Sequence, residues 1–391
     1  MIGVDRGISP ATRIHSWQLI FCARAEVSRG EPRAILMELT AHIERVVRRS
    51  KAFYRQTEPG HYLVHAEIPA EAPPIPPLHE FDLDRQLADW LDSNLAAARP
   101  GWRAKEGLDD DTIPAFCPFF GIAEHSAWLG LEVRLQDTTC LPLPLIHEPA
   151  DLDRLRYSED DRWFRIMRSS YDYLRQRQDG TFVLSMRGTM TPMDVANAVR
   201  GDALFTDFLL QPEFCHELLS RLVSALRWYF PHQWSWADDI AGGRVFSHGD
   251  PWLPAGTIGH LANDTAMLCS PQVYEEFGLP YERRLVAGYQ AVLYHVHNEK
   301  LHYVPRVAQL PQLALLEVTD DPRTTPCIED LPQIFSATGS ANLMLRATSD
   351  QIRQHIDELD ERNVFLLVSC QDSADAEDII AFIRDRSKPL G

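Results

Sequence analysis

Hydrophobic and polar positions follow two rhythms along this chain. Near the start, "SWQLIFCARAEVSRG" (16–30) and "AILMELTAHIERVVRRSKAFYRQ" (34–56) carry apolar residues at helical spacing, which predicts two helices. The proline-rich "AEAPPIPPLHEF" (70–81) cannot form regular structure and predicts an irregular surface excursion. From residue 61 onward, short apolar runs alternate with longer amphipathic stretches. The runs are "HYLVHAEIP" (61–69), "IPAFCPFFG" (113–121), "TFVLSMRG" (181–188), "AGTIGHLAND" (255–264), "AVLYHVHN" (291–298), "LALLEVTDD" (313–321), "ANLMLRAT" (341–348) and "VFLLVSCQ" (364–371). Each is rich in large or β-branched residues and ends in polar residues or glycine, as buried parallel strands do.

Several of the stretches between the runs open with helix-start chemistry. Thr191-Pro192 and Ser270-Pro271 each supply an N-cap followed by proline at the first helical position, and Thr348 with Gln351 makes a capping box. Eight strands separated by helices predict an α/β fold, a (β/α)8 TIM barrel formed by one domain over 1–391. It would carry an N-terminal helical extension (1–59) and an insertion between strands two and three (131–180). A doubly wound open sheet is the competing fold. No glycine-rich phosphate loop follows the first strand, which weakens that alternative.

Composition narrows the picture. The chain has 391 residues, enough for one large domain, and its 38 basic and 56 acidic residues give a formal charge of −18. That balance argues against a broad nucleic-acid surface. Its seven cysteines are scattered with no CxxC pair, which points to a reducing cytoplasmic setting rather than a disulfide framework. No stretch has the apolar length of a membrane span, and the N-terminus lacks the apolar run of a signal peptide.

In a barrel of this kind, chemistry gathers where the strands finish. Residues at those ends include His65, Glu67, Glu124, His125, Arg187, His260, Asp264, His295, His297, Asp320, Asp321, Arg346 and Cys370. In "AVLYHVHNEKLHYV", His295 and His297 are two apart, so on a strand both imidazoles face one way. Zinc takes imidazole and thiolate in a tetrahedral shell, and His295, His297 and Cys370 supply three ligands of those types. The plainer readings are hydrogen-bonded histidines and a buried core thiol. Asp264 is the first candidate for a fourth ligand or acid–base group and Glu299 the second; a solvated carboxylate or, for Asp264, a helix cap are the alternatives. Arg187 and Arg346 could clamp an anionic substrate, or pair with Asp320 or Asp321, and His260 and Asp320 would line its site. In "FSHGDPW", His248 and Asp250 either line the mouth or form a turn.

Segments "RGTMTPMDVANAVRGDALFTDFLLQPEFCHELLSRLVSALRWYF", "HLANDTAMLCSPQVYEEFGLPYERRLVAG", "AVLYHVHN" and "VFLLVSCQDSADAEDIIAFI" resemble the uroporphyrinogen decarboxylase superfamily. Within it, the histidine motif paired with a distant cysteine resembles the cobalamin-dependent methyltransferase branch. The resemblance covers residues 180 to 385 well and the N-terminal half loosely. It implies a (β/α)8 barrel and a zinc ion held by a His-x-Cys pair and a later cysteine. His295 matches the histidine, His297 stands where the family has its first cysteine, and Cys370 matches the second. The decarboxylase branch holds its acidic tetrapyrrole with arginines after the first strand. "VHAEIPAEAPP" has none there, which argues against that activity.

The function implied is a zinc-dependent methyltransferase. Zinc would ionise a thiol acceptor, which attacks a methyl group on a corrinoid carried by a partner protein. The alternatives are a zinc lyase, decarboxylase or hydrolase acting on a small carboxylated substrate, and a catalytically silent barrel kept for binding or regulation. The expected partners are a small-molecule substrate, a corrinoid protein and a second copy of the chain as a homodimer, with neither nucleic acid nor membrane among them.

Overall fold

Each of the eight apolar runs carries a strand in the computed structural model, which describes residues 31–390. They are β1 (Tyr62–Glu67), β2 (Ala115–Phe116), β3 (Val183–Leu184), β4 (Thr257–Ala262), β5 (Ala291–His297), β6 (Leu313–Thr319), β7 (Leu343–Thr348) and β8 (Val364–Ser369). The ladder is unbroken through six of them, all parallel, in the order β1-β8-β7-β6-β5-β4. β2 and β3 pair only with each other, over two residues. The expected eight-stranded ladder is therefore not continuous. Pro114 and Pro118 bracket β2, and proline cannot donate to a ladder, so this strand stays short. Single backbone bonds do cross on either side, from Asp111 N–H to Val64 O (2.7 Å) and from Thr191 N–H to Ala262 O (2.9 Å).

Of the two N-terminal helices expected, the segment 16–30 lies outside the described residues. The second is the helix Glu31–Phe53. Its Arg49 pairs with Asp109 (2.6 Å) and Asp111 (3.4 Å), while Arg384 from the last helix reaches the same Asp111 (2.7 Å). The Asp111 carboxylate also accepts the Val64 N–H. One buried carboxylate thus ties the first helix, the first strand and the last helix together. The anticipated caps are present: Thr191 accepts from Asp194 N–H, Ser270 from Val273 N–H, and Thr348 and Gln351 form a reciprocal box. Residues 70–77 are irregular, and a short 3-10 turn, Leu78–Glu80, follows. No described helix is long and apolar enough to cross a membrane.

Side-chain parity defines two faces of the large sheet. Partners in a parallel register share a face, so His65, Leu367 and Arg346 lie together. A Cβ on Gly249 would meet Met344 and Leu367, so this is the face that the turn 247–250 covers. The other face receives the helices.

Candidate metal centre

Register brings the chemistry together. His295 of β5 pairs with Glu317 of β6 on one side and with Ala262 of β4 on the other. Asp264, two residues beyond Ala262, therefore stands level with His297. His297 pairs with Thr319, so Asp321 stands beside it on the far side. The resulting contacts are short. His295 Nδ1 lies 2.8 Å from Glu317 Oε2, and His297 Nδ1 lies 2.9 Å from Asp321 Oδ1. Where each carboxylate accepts the Nδ1 proton, both Nε2 atoms are left facing one another at 3.1 Å.

Two imidazole lone pairs at that distance repel unless a proton or a cation lies between them. Asp264 Oδ1 lies 3.5 Å from His297 Nε2 and is buried with no hydrogen-bond partner among the described residues. Ligand atoms at 2.0–2.1 Å from a tetrahedral zinc are about 3.3 Å apart, so edges of 3.1 and 3.5 Å fit one ion. Asp264, His295 and His297 form one of two described groups whose ligand atoms are close enough to share an ion. The backbone holding Asp264 is fixed by Asp194, whose carboxylate accepts both the Asp264 and Thr265 N–H groups. Burial and then the Asp264 charge push the Asp194 carboxyl up to about 7. Asn263, not Asp264, caps the short helix Asp264–Met267.

The second group is His248, His260, His295 and Glu317. Glu317 is buried, and its side-chain hydrogen-bond partners among the described residues are histidines. Burial by itself raises a carboxyl pKa, yet His295, His260 and His248 together hold Glu317 well below the ordinary range. The same carboxylate raises His295 against the effect of burial. Burial, followed by the neighbouring His248, pushes His260 down to about 3, so its imidazole is neutral.

Not every strand-end residue joins these groups. Cys370 belongs to neither. Leu367 and Ser369 share the face of His65 and Glu67, so Cys370, one residue further, turns toward the helices. There burial, with Asp375 alongside, pushes its thiol up to about 11. Its strand is also separated from β5 by β6 and β7. Glu299 is exposed and meets Asp321 through its backbone N–H. Asp320 accepts from Cys327 N–H (2.6 Å) and shapes a loop. Arg187 is ion-paired with Glu124 and lies over the Phe119 ring, and Arg346 is ion-paired with Glu67. Both arginines are thus engaged, with partners other than Asp320 or Asp321. Of the expected substrate residues, only His260 reaches the cluster. A cavity of about 560 Å³ lies beside β1, lined by His65, Glu67, Trp102, Lys105, Asp110 and Asp250 among others, and by none of the grouped histidines.

Glu317 and Asp194 were not among the residues singled out from the sequence. A charge inside "LALLEV" was the available signal, because a buried carboxylate needs a partner. Asp194 sits in the first turn of a helix, where acidic residues are common, and gave no such signal.

No family model and no curated protein matches the chain. Among solved structures it is similar to a methyltransferase from Methanosarcina mazei, at 12% identity and a TM-score of 0.53, covering 87% of this chain and 98% of that one. At that identity the likeness is one of fold.

Proposed function

We propose that this chain is a zinc-dependent methyltransferase, with Asp264, His295 and His297 as the protein ligands and a thiol as the acceptor. The observation that carries the reading is the pair of Nε2 atoms 3.1 Å apart, each ring anchored through Nδ1 on its own carboxylate. The fold likeness to a methyltransferase supports the reaction class. We take the eight parallel strands as one barrel, supported by the backbone bonds that flank the β2–β3 pair.

Two neutral imidazoles and one carboxylate would leave a divalent ion with a formal charge of +1, the same as the His–His–Cys set expected from the sequence. A zinc ion held there supplies Lewis acidity that lowers the pKa of a thiol or water in the remaining position. The chain's own groups prepare that position. Glu317 and Asp321 fix the tautomer and tilt of both rings, and Asp194 fixes the turn that aims Asp264. Arg187 and Arg346 are already paired, which favours a small thiol over a strongly anionic substrate. The methyl group would arrive on a corrinoid presented by a partner protein.

Cobalt-substituted protein provides the test. Addition of a small thiol is expected to produce a sulfur-to-cobalt charge-transfer band that His297→Ala weakens. A metal-loaded protein whose spectrum ignores thiols would overturn the methyl-transfer reading. The position of Cys370 outside the group favours a second reading: an all nitrogen–oxygen ligand set is common where zinc activates water, as in hydrolases. That reading expects the unresponsive spectrum.

A further inference from the structure

We propose that His248, His260 and Glu317 form a second divalent-cation site, joined to the first through the imidazole of His295. This rests on the reading of Asp264, His295 and His297 as the first site. Three nitrogens from three separate segments converge on one oxygen, Glu317 Oε2: His248 Nδ1 at 3.0 Å, His260 Nε2 at 3.2 Å and His295 Nδ1 at 2.8 Å. One carboxylate oxygen offers two lone pairs, so three N–H donors are more than it can serve well. The three nitrogen–oxygen spacings are close to the edges of a tetrahedral shell, and all four ligand atoms lie within 4.8 Å of one another, as a shared ion requires. The donor chemistry, imidazole with carboxylate, selects a zinc-like transition cation over calcium or magnesium.

The backbone supports a built site. His248, Gly249 and Asp250 all have positive φ (84°, 74° and 53°), and only one of them is glycine. Left-handed backbone costs about 1–2 kcal/mol for a residue with a side chain. That turn carries His248 to Glu317, stacks its ring on His260 (4.4 Å between centroids, 23° between planes) and lets Gly249 O meet His65 Nδ1. His295 then lies between the two sites, with Nδ1 toward Glu317 and Nε2 toward His297. Both of its nitrogens bind metal only after the ring has lost its last proton, so filling the second site releases a proton from His295 to solvent.

The test is zinc stoichiometry of the full chain by equilibrium dialysis and elemental analysis, with thermal melting to confirm folding. The parent is expected to bind about two equivalents, and His260→Ala, His248→Gln and His297→Ala about one each. The His248 side chain is more than a third exposed, so its glutamine variant remains informative if His260→Ala fails to fold. One equivalent in the parent, kept in His248→Gln and lost in His297→Ala, overturns the second site and leaves the first standing. One equivalent kept in His297→Ala and lost in His248→Gln overturns both the bridged pair and the first-site reading. No zinc in the parent likewise overturns both.

Discussion

Glu282 shows how a single residue can matter without touching the metal group. It is fully buried, and it accepts from Asn263 Nδ2 (2.6 Å), Tyr294 Oη (2.8 Å) and Tyr274 Oη (2.7 Å). Asn263 and Tyr294 are the residues immediately before Asp264 and His295, so this carboxyl group positions two of the proposed ligands at once. Burial raises its pKa, although its three donors oppose the shift. The sign follows from linkage. A raised native pKa favours the protonated form, so its stabilising effect is complete below the ordinary glutamate value near 4.5 and is lost as pH rises through the native value. Glu282→Gln, which cannot titrate, is therefore expected to flatten the fall of stability over that window. Urea midpoints of parent and variant from pH 4 to 8 measure this, and parallel profiles would contradict it.

At the scale of the element, β5 is the informative strand. Its period of two puts His295 and His297 on one face, whereas His302 lies beyond the strand and is exposed. His297→Ala is expected to weaken zinc binding by about tenfold or more, with the fold intact, because the residue sits at the strand's partly exposed end. His297→Cys keeps a zinc-binding side chain and is expected to retain the ion while making it more electron-rich. His302→Ala is expected to leave metal content unchanged. Zinc content and melting temperature of the three variants, measured together, decide the matter; equal zinc in His297→Ala and the parent would reduce the pair to ordinary hydrogen-bonded histidines at a strand end.

Across the whole molecule, Asp111 is the junction between the ends of the described chain. Its carboxylate is fully buried and is shared by Arg49, Arg384 and the Val64 N–H. Burial tends to raise its pKa, and the two guanidinium groups oppose this. Arg49→Ala leaves the buried carboxylate with one cation, and it also releases the Arg49 hold on Asp109. A loss of about 1–3 kcal/mol is expected from removing one partner of a buried charged hydrogen bond. Chemical denaturation measures that loss, and a change below about 0.5 kcal/mol, within the range of a neutral surface substitution, would show that the Arg49 pairs contribute nothing measurable to docking the helix Glu31–Phe53.

Local pattern determined a great deal of this protein. Strand positions, capped helix starts and the shared face of His295 and His297 all follow from periods of 2 and 3.6 and from side chains that bond to nearby backbone, which a sequence displays directly. Parity also held the warning about Cys370: counted from Leu367 and Ser369, it turns to the opposite face. What the sequence did not display is which strands are neighbours. Glu317 lies 22 residues from His295 yet is its lateral partner, whereas Cys370, also on a strand end, is separated from it by two intervening strands. The interruption of the ladder at β2 and β3 was decided in the same way, by whether those short runs could find partners along their length. Adjacency depends on register and burial summed over the whole sheet, so the grouping of Asp264 with His295 and His297, and the placing of Cys370 apart from them, belong to the tertiary structure alone.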